Sequence, residues 1–260
     1  MKPFWRKGLG LLTVLACCAV WILTSGMGVR QRRTRTCQSG INVTVLDSAE
    51  RRFVSRDDIQ AWLDRDYHAY VGLPLDSVNL DRIERLVCSR SAVKSCEAWM
   101  SDDGKLNIEI NQREPVIRFQ DSGNGWYADA DGFIFPLQAR GSVCVPIVDG
   151  NLPLTVPRGF KGMPEEGAGR EWLLDMVALV NYIHGSVWEQ EISQIHVSPE
   201  GNLILYTVSG REKFIFGRPE GFTRKFRLLR SYYEAVLPEK GAGYYSTVDL
   251  RYRNQLVCRQ

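Results

Sequence analysis

A hydrolase needs a nucleophile beside a base. This chain offers three histidines as bases, His68, His184 and His196, and no Gly-x-Ser-x-Gly elbow to present a serine. His184 closes a helical pattern, where a cation meets the favourable end of the helix dipole. His196 falls inside a β-branched run, and both placements suit structural histidines. Asp129-Ala130-Asp131-Gly132 has the opening of a calcium loop. Such a loop needs three spaced oxygen ligands before its glycine and a glutamate near its end, so these residues read as an Asp-Gly turn between Tyr127 and Phe133. Neither GxGxxG nor GxxxxGK[ST] occurs, which leaves nucleotide binding without support. Asn42-Val43-Thr44 is a glycosylation sequon only where a host uses it.

Seven cysteines fall into two groups: Cys17 and Cys18 in an apolar segment, and Cys37, Cys88, Cys96, Cys144 and Cys258 beyond it. No CxxC spacing is present for a zinc ribbon or a thioredoxin-like site. Cys88 and Cys96, between the end of a helical pattern and the opening of a strand, are the best disulfide candidates in an oxidising compartment. No catalytic residue, metal site or cofactor emerges, and the chemistry that remains is binding.

The charge balance narrows the partners. Of 33 Lys and Arg, seven (Lys2, Arg6, Lys7, Arg30, Arg32, Arg33 and Arg35) flank the apolar segment, which leaves 26 basic against 30 acidic residues elsewhere. A mildly acidic body lacks the footprint that phosphate backbones require, so no nucleic acid is expected. The basic clusters suit a lipid surface. Gly8–Gly28 carries no charge and as a helix would span about 30 Å of hydrocarbon. A cleavable signal peptide has an apolar region of only about 7 to 15 residues. Leu15-Ala16-Cys17 has a faint lipoprotein look, but the apolar run continues through Val20, Trp21, Ile22 and Leu23. Residues 8–28 therefore read as an uncleaved single span. Three basic residues before it and four after it do not set its orientation. A short tail at residues 1–7 is easily left in the cytoplasm while long following domains translocate.

Beyond a basic linker at 29–36, Ile41–Leu46 reads as a strand. Ser55 with Asp58 forms a capping-box pattern opening a helix to about Asp66, and Asn79 caps a second helix that aligns Leu80, Ile83 and Val87. Val93–Met100 and Lys105–Arg113 flank Asp102-Asp103-Gly104 as a hairpin with Leu106, Ile108 and Ile110 on one face. The fold class is α+β: an N-terminal transmembrane helix, a βααββ module over 37–120, then a mixed sheet domain with two helices over 121–260. Those two helices lie near Arg170–His184 and Gly221–Val236, the second aligning Phe222, Phe226, Leu229, Tyr233 and Val236. Arg224, Lys225, Arg227 and Arg230 read as its solvated face. Strands are expected at Ile192–Val197, Leu203–Val208, Lys213–Phe216 and, as the terminal strand, Tyr244–Cys258.

This order of elements resembles the bacterial cell-division FtsQ/DivIB family. Gln112-Arg113-Glu114-Pro115-Val116 is similar to the family's Arg-Glu-Pro element, and Tyr127-Ala128-Asp129-Ala130-Asp131-Gly132 to its Tyr-x-Asp-x-x-Gly turn. Phe216-Gly217-Arg218 and Val248-Asp249-Leu250-Arg251-Tyr252 match later landmarks. The resemblance implies that 37–120 is a POTRA-like domain and 121–260 an FtsQ-type β domain. It also implies a non-catalytic scaffold of the divisome in the cytoplasmic (inner) membrane at the septum, which binds FtsB and FtsL and takes no small-molecule substrate. Two alternatives stay open: a POTRA-bearing binding protein of outer-membrane assembly, and a secreted enzyme with an unrecognised site.

A chain-terminal strand at a sheet edge is a template for strand addition, or else simply the closing piece of its sheet with Arg251 and Arg253 as edge charges. The resemblance favours the template and implies pairing with a segment of FtsB. The partner-binding residues expected on that strand are Leu250, Arg251, Tyr252, Asn254 and Leu256, with Tyr252 foremost.

Overall fold

The computed structural model describes residues 17–18, 20–21, 36–38, 40–46, 53–68, 70–121, 123–141 and 143–260. The expected tail at 1–7 and linker at 29–36 lie outside these residues, apart from Thr36. So does the expected span, apart from Cys17, Cys18, Val20 and Trp21, which are helical. Among the described residues no helix is long and apolar enough to cross a membrane.

The chain forms two units, one containing β1 (Ile41–Val45) and Val54–Gln112, the other Phe53 and Arg113–Gln260. In the first, α1 (Arg56–Trp62) opens on Ser55, whose Oγ accepts from Asp58 N–H while the Asp58 carboxylate accepts from Ser55 N–H. This reciprocal capping satisfies two donors that the first helical turn leaves unpaired. A π turn, Leu63–Tyr67, continues α1 and keeps Ile59 and Leu63 fully buried. Asn79 Oδ1 accepts from Arg82 N–H and starts α2 (Leu80–Cys88), which buries Ile83 and Val87. The hairpin of β2 (Val93–Met100) and β3 (Leu106–Gln112) turns at Gly104, where φ is +85° and an added Cβ would stand 2.8 Å from the Thr36 carbonyl oxygen. Both constraints call for glycine.

The sheet order is β1-β3-β2, with β1 parallel to β3 and β2 antiparallel to it. Parallel neighbours require a crossover, and α1 and α2 supply it. Leu106, Ile108 and Ile110 face inward as the alternation predicts. Buried Gln112 accepts the Val54 N–H at 2.9 Å through Oε1, so its side chain is not orphaned.

The second unit is one nine-stranded sheet. Its elements are β4 (Pro115–Asp121), β5 (Asn124–Asp129), β6 (Ile134–Pro136), β7 (Ile147–Gly150), α3 (Ala168–Ile183), β8 (Ile192–Val197), β9 (Leu203–Thr207), β10 (Lys213–Gly217), α4 (Phe222–Ser231), a π turn at Tyr232–Val236, α5 (Leu237–Lys240), β11 (Thr247–Asp249) and β12 (Val257–Arg259). The order is β12-β11-β10-β9-β8-β7-β4-β5-β6. Phe119, Val148, Ile195, Leu205, Phe214 and Val248 form a core with Met176, Leu179 and Ile183 of α3 and Phe226 and Leu229 of α4. Burying each such side chain stabilises the unit by roughly 1.5–3 kcal/mol before conformational entropy is subtracted.

Three expectations are corrected. The first module ends at Gln112 rather than at 120, because β4 pairs along its length with β5 and belongs to the second sheet. Lys225, expected on a solvated face, is buried, while Tyr233 packs against the core as expected and Tyr232 beside it is fully buried. The terminal segment 244–258 is not one strand: β11 and β12 are three residues each and are separated by a loop at 250–256.

Candidate partner-binding edge

β12 is the outermost strand of the sheet, paired antiparallel to β11 through Thr247↔Arg259, Val248↔Cys258 and Asp249↔Val257. At the opposite end, β6 is covered: Ile134 and Gly162 exchange backbone hydrogen bonds of 2.9 and 3.0 Å. Among the described residues no strand lies beyond β12, so its outer N–H and C=O groups face away from the sheet.

Three clasps fix the loop that feeds this edge. Arg251 pairs with Asp249 through Nε (2.9 Å) and Nη2 (2.6 Å), while the Arg251 N–H bonds Asp249 Oδ1 at 3.0 Å. Burial alone would raise the Asp249 pKa, but the Arg251 guanidinium and N–H outweigh it and hold the carboxyl below its ordinary value. Gly217, with φ +79°, leaves room for this pair, since a Cβ there would meet Arg251 Cγ at 2.9 Å. Arg224 of α4 donates Nη1 to the carbonyls of Tyr252 (2.7 Å) and Arg253 (3.3 Å). These bonds hold the two carbonyls toward α4 where the chain loops instead of continuing β11.

Lys225, beside Arg224, is 5% exposed, and this corrects the expectation of a wholly solvated basic face. Its Nζ donates to the Arg218 carbonyl at 2.6 Å and lies 4.7 Å from the Phe216 ring centroid. Burial, with a smaller contribution from Arg224, lowers its pKa to about 8. By sequence both Arg224 and Lys225 fall on a solvated face; the signal for their roles was a Phe-Gly-Arg turn followed by adjacent basic residues at a helix start.

Of the expected contact residues, Tyr252 is 42% exposed, and Arg251 and Asn254 are exposed as well. Leu256 is half-buried and packs against the core. Leu250 is fully buried, and its N–H bonds the Ile215 carbonyl at 2.9 Å; it supports the loop from inside and is corrected as a contact residue. Residues 250–256 do not form the two alternating faces that a continuous strand would give. Cys88 is exposed at the end of α2 and Cys96 is buried in β2, and no disulfide is formed among the described residues.

The residues weighed for chemistry occupy structural positions. His196 Nδ1 meets Asp149 Oδ1 at 2.8 Å, while Gln194 Nε2 donates to Asp149 Oδ2 at 2.7 Å, which gives a cross-strand polar cluster. His184 Nδ1 pairs with Glu189. Asp129 accepts the N–H groups of Asp131 and Phe133 and an ion-paired hydrogen bond from Arg113 Nη1 at 2.7 Å, so its turn is held by protein donors. No group of three or more metal-ligating side chains exists among the described residues.

A βααββ unit with sheet order 1-3-2, followed by a mixed sheet that ends in an edge hairpin, defines a modular α+β protein of the POTRA-plus-β-domain class. Residues 35–111 match the model of the POTRA-like domain, and residues 114–259 match that of the FtsQ/DivIB, C-terminal related family. Over 187 residues the chain is 30% identical to the cell division protein FtsQ of Rhodothermus marinus, which covers 69% of this chain and 63% of that protein. The chain belongs to the FtsQ/DivIB family. It spans less than two thirds of the length of that relative.

Proposed function

We propose that this protein is a non-catalytic, membrane-anchored scaffold of the bacterial divisome that links early division proteins to septal peptidoglycan synthesis. It binds FtsB by strand addition at the β12 edge, with FtsL in the same complex. The open β12 edge, opposite the covered β6 edge, carries this reading. Backbone pairing supplies affinity, and Arg251, Tyr252, Asn254 and Leu256 beside it supply selectivity. The membership and the relative's description as a cell-division protein support the setting. Residues 1–7 are a cytoplasmic tail, 8–28 the single span and 29–36 a linker, with the POTRA-like and β domains outside the cytoplasm at the septum.

Tyr252→Asp tests the reading. Exposed Tyr252 contributes little to the core, so the unfolding midpoint should change little while FtsB binding falls at least tenfold by titration. Undiminished binding places the site elsewhere on the chain.

A further inference from the structure

Glu84 and Cys88 stand one helical turn apart on α2, each next to a residue of its buried stripe, Ile83 and Val87. Glu84 Oε1 accepts the Ala98 N–H of β2 at 2.8 Å. Among the described residues β2 has β3 on one side only, so this bond closes part of its outer edge and sets the helix against the strand at a defined level. The connection at 89–92 is short, so α2 and β2 run in opposite directions. From Glu84 to Cys88 the helix advances about 6 Å, and from Ala98 back to Cys96 the strand covers about 6.7 Å. Cys88 therefore comes level with Cys96. The Cys96 side chain shares the buried face of β2 with that of Ala98, beneath the flank of α2 that carries Glu84 and Cys88.

We propose that Cys88 and Cys96 are the site of a disulfide that staples α2 to the outer edge of β2. Its occurrence in cells rests on the reading that this unit lies outside the cytoplasm. With Glu84 already on the Ala98 N–H, the staple keeps the β2 edge of this sheet closed to strand addition.

Exposed Cys88 is the point of entry for an oxidant. Cys96 is buried, and burial, with smaller contributions from Cys88, Glu84 and Glu97, pushes its thiol up to about 12. The Cys88 thiolate attacks one sulfur of a small disulfide such as oxidised glutathione and expels one glutathione thiol, forming a mixed disulfide. The Cys96 sulfur, giving up its proton, attacks Cys88 Sγ and expels the second glutathione thiol. The two cysteines together lose two electrons and two protons, and the glutathione disulfide gains them as two thiols.

The full-length chain, purified in detergent under reductant, is exposed to oxidised glutathione, and its non-reduced peptides are mapped by mass spectrometry. The expected result is a Cys88–Cys96 linked peptide, with Tm falling by roughly 10 °C on reduction. Cys88→Ser, a change at an exposed position, should fold, lack the link and show no reductant-dependent shift. Recovery of both cysteines as glutathione adducts or alkylated thiols, or a link from Cys96 to another cysteine, overturns the proposal. A membrane-impermeant maleimide on exposed Cys144 in intact spheroplasts reports location separately. If Cys144 is labelled while Cys88 and Cys96 stay reduced in those cells, the proposal falls. If Cys144 is protected while the purified chain still bridges, the staple geometry stands and the location reading falls.

Discussion

Arg224 Nη1 donates to the Tyr252 carbonyl at 2.7 Å, and this bond joins the first turn of α4 to the loop that leads into β12. Arg224 thereby sets where the edge strand begins without lying on the edge itself. Arg224→Gln keeps a donor but loses the reach and the charge that serve two carbonyls. The expected result is faster hydrogen exchange across 250–259 and weaker FtsB binding, with global stability reduced by about 1 kcal/mol. Exchange that accelerates equally throughout the second unit would instead mean that Arg224 stabilises the whole sheet.

Arg113 and Asp129 form a buried ion pair in the second unit, with side chains 14% and 5% exposed. Asp129 also holds its own turn through the N–H groups of Asp131 and Phe133. Asp129→Ala leaves Arg113 buried without its carboxylate and orphans two backbone donors. We expect a loss of about 3–5 kcal/mol in urea unfolding, because breaking one side of a buried pair exposes the desolvation cost of the other. Replacing both residues with apolar side chains should cost less than Asp129→Ala alone, and a double-mutant cycle measures the difference.

The features legible in sequence were those made by neighbours along the chain. The Ser55–Asp58 box, the Asn79 cap and the Leu106/Ile108/Ile110 alternation each follow from contacts within four residues or from strand periodicity, and each is present. The terminal loop was not legible, because Val248, Leu250 and Tyr252 continue a strand-like alternation. What holds the loop is Arg224, a side chain 28 residues earlier. The burial of Lys225 likewise depends on Phe216 and the Arg218 carbonyl, which belong to the end of β10 and the turn after it, so a helical-wheel reading placed it with its solvated neighbours. β4 and β5 pair with each other around a tight turn that contains Gly123, and the assignment of 115–120 to the first module obscured that partnership.

Glu212 is 2% exposed and immediately precedes β10. Its Oε1 accepts Gly243 N–H at 2.7 Å and the Tyr232 hydroxyl at 3.0 Å, and its Oε2 accepts Arg211 N–H at 2.9 Å. Burial alone would raise its pKa, yet the Gly243 N–H and the other donors outweigh burial and lower it from the ordinary 4.5. A depressed carboxyl contributes stability that is present above its unfolded pKa and is lost as pH falls through the folded value. Glu212→Gln should therefore destabilise the second unit by about 1–3 kcal/mol near neutral pH. The gap from the unchanged protein should narrow below pH 4.5 in chemical denaturation. A gap that stays constant on acidification would show that Glu212 acts only through shape.

Lys225 should give the opposite pH signature on the alkaline side. Its folded pKa is lowered to about 8 against an ordinary 10.5, with burial as the leading cause. Below about 8 the lysine is charged in both states, and the folded chain carries the full cost of burying the ammonium. Between about 8 and 10.5 the unfolded chain binds more protons than the folded one, so this residue makes stability rise with pH. Above 10.5 both forms are neutral and the rise ends. Lys225→Met removes the titrating group, keeps the apolar stem against Phe216 and gives up the hydrogen bond to the Arg218 carbonyl. Subtracting the stability of Lys225→Met from that of the unchanged protein at each pH cancels the tyrosines and thiols that titrate in the same range. The difference should climb across the window and flatten at both ends. A flat difference throughout would mean that Lys225 Nζ remains solvated enough to keep an ordinary pKa.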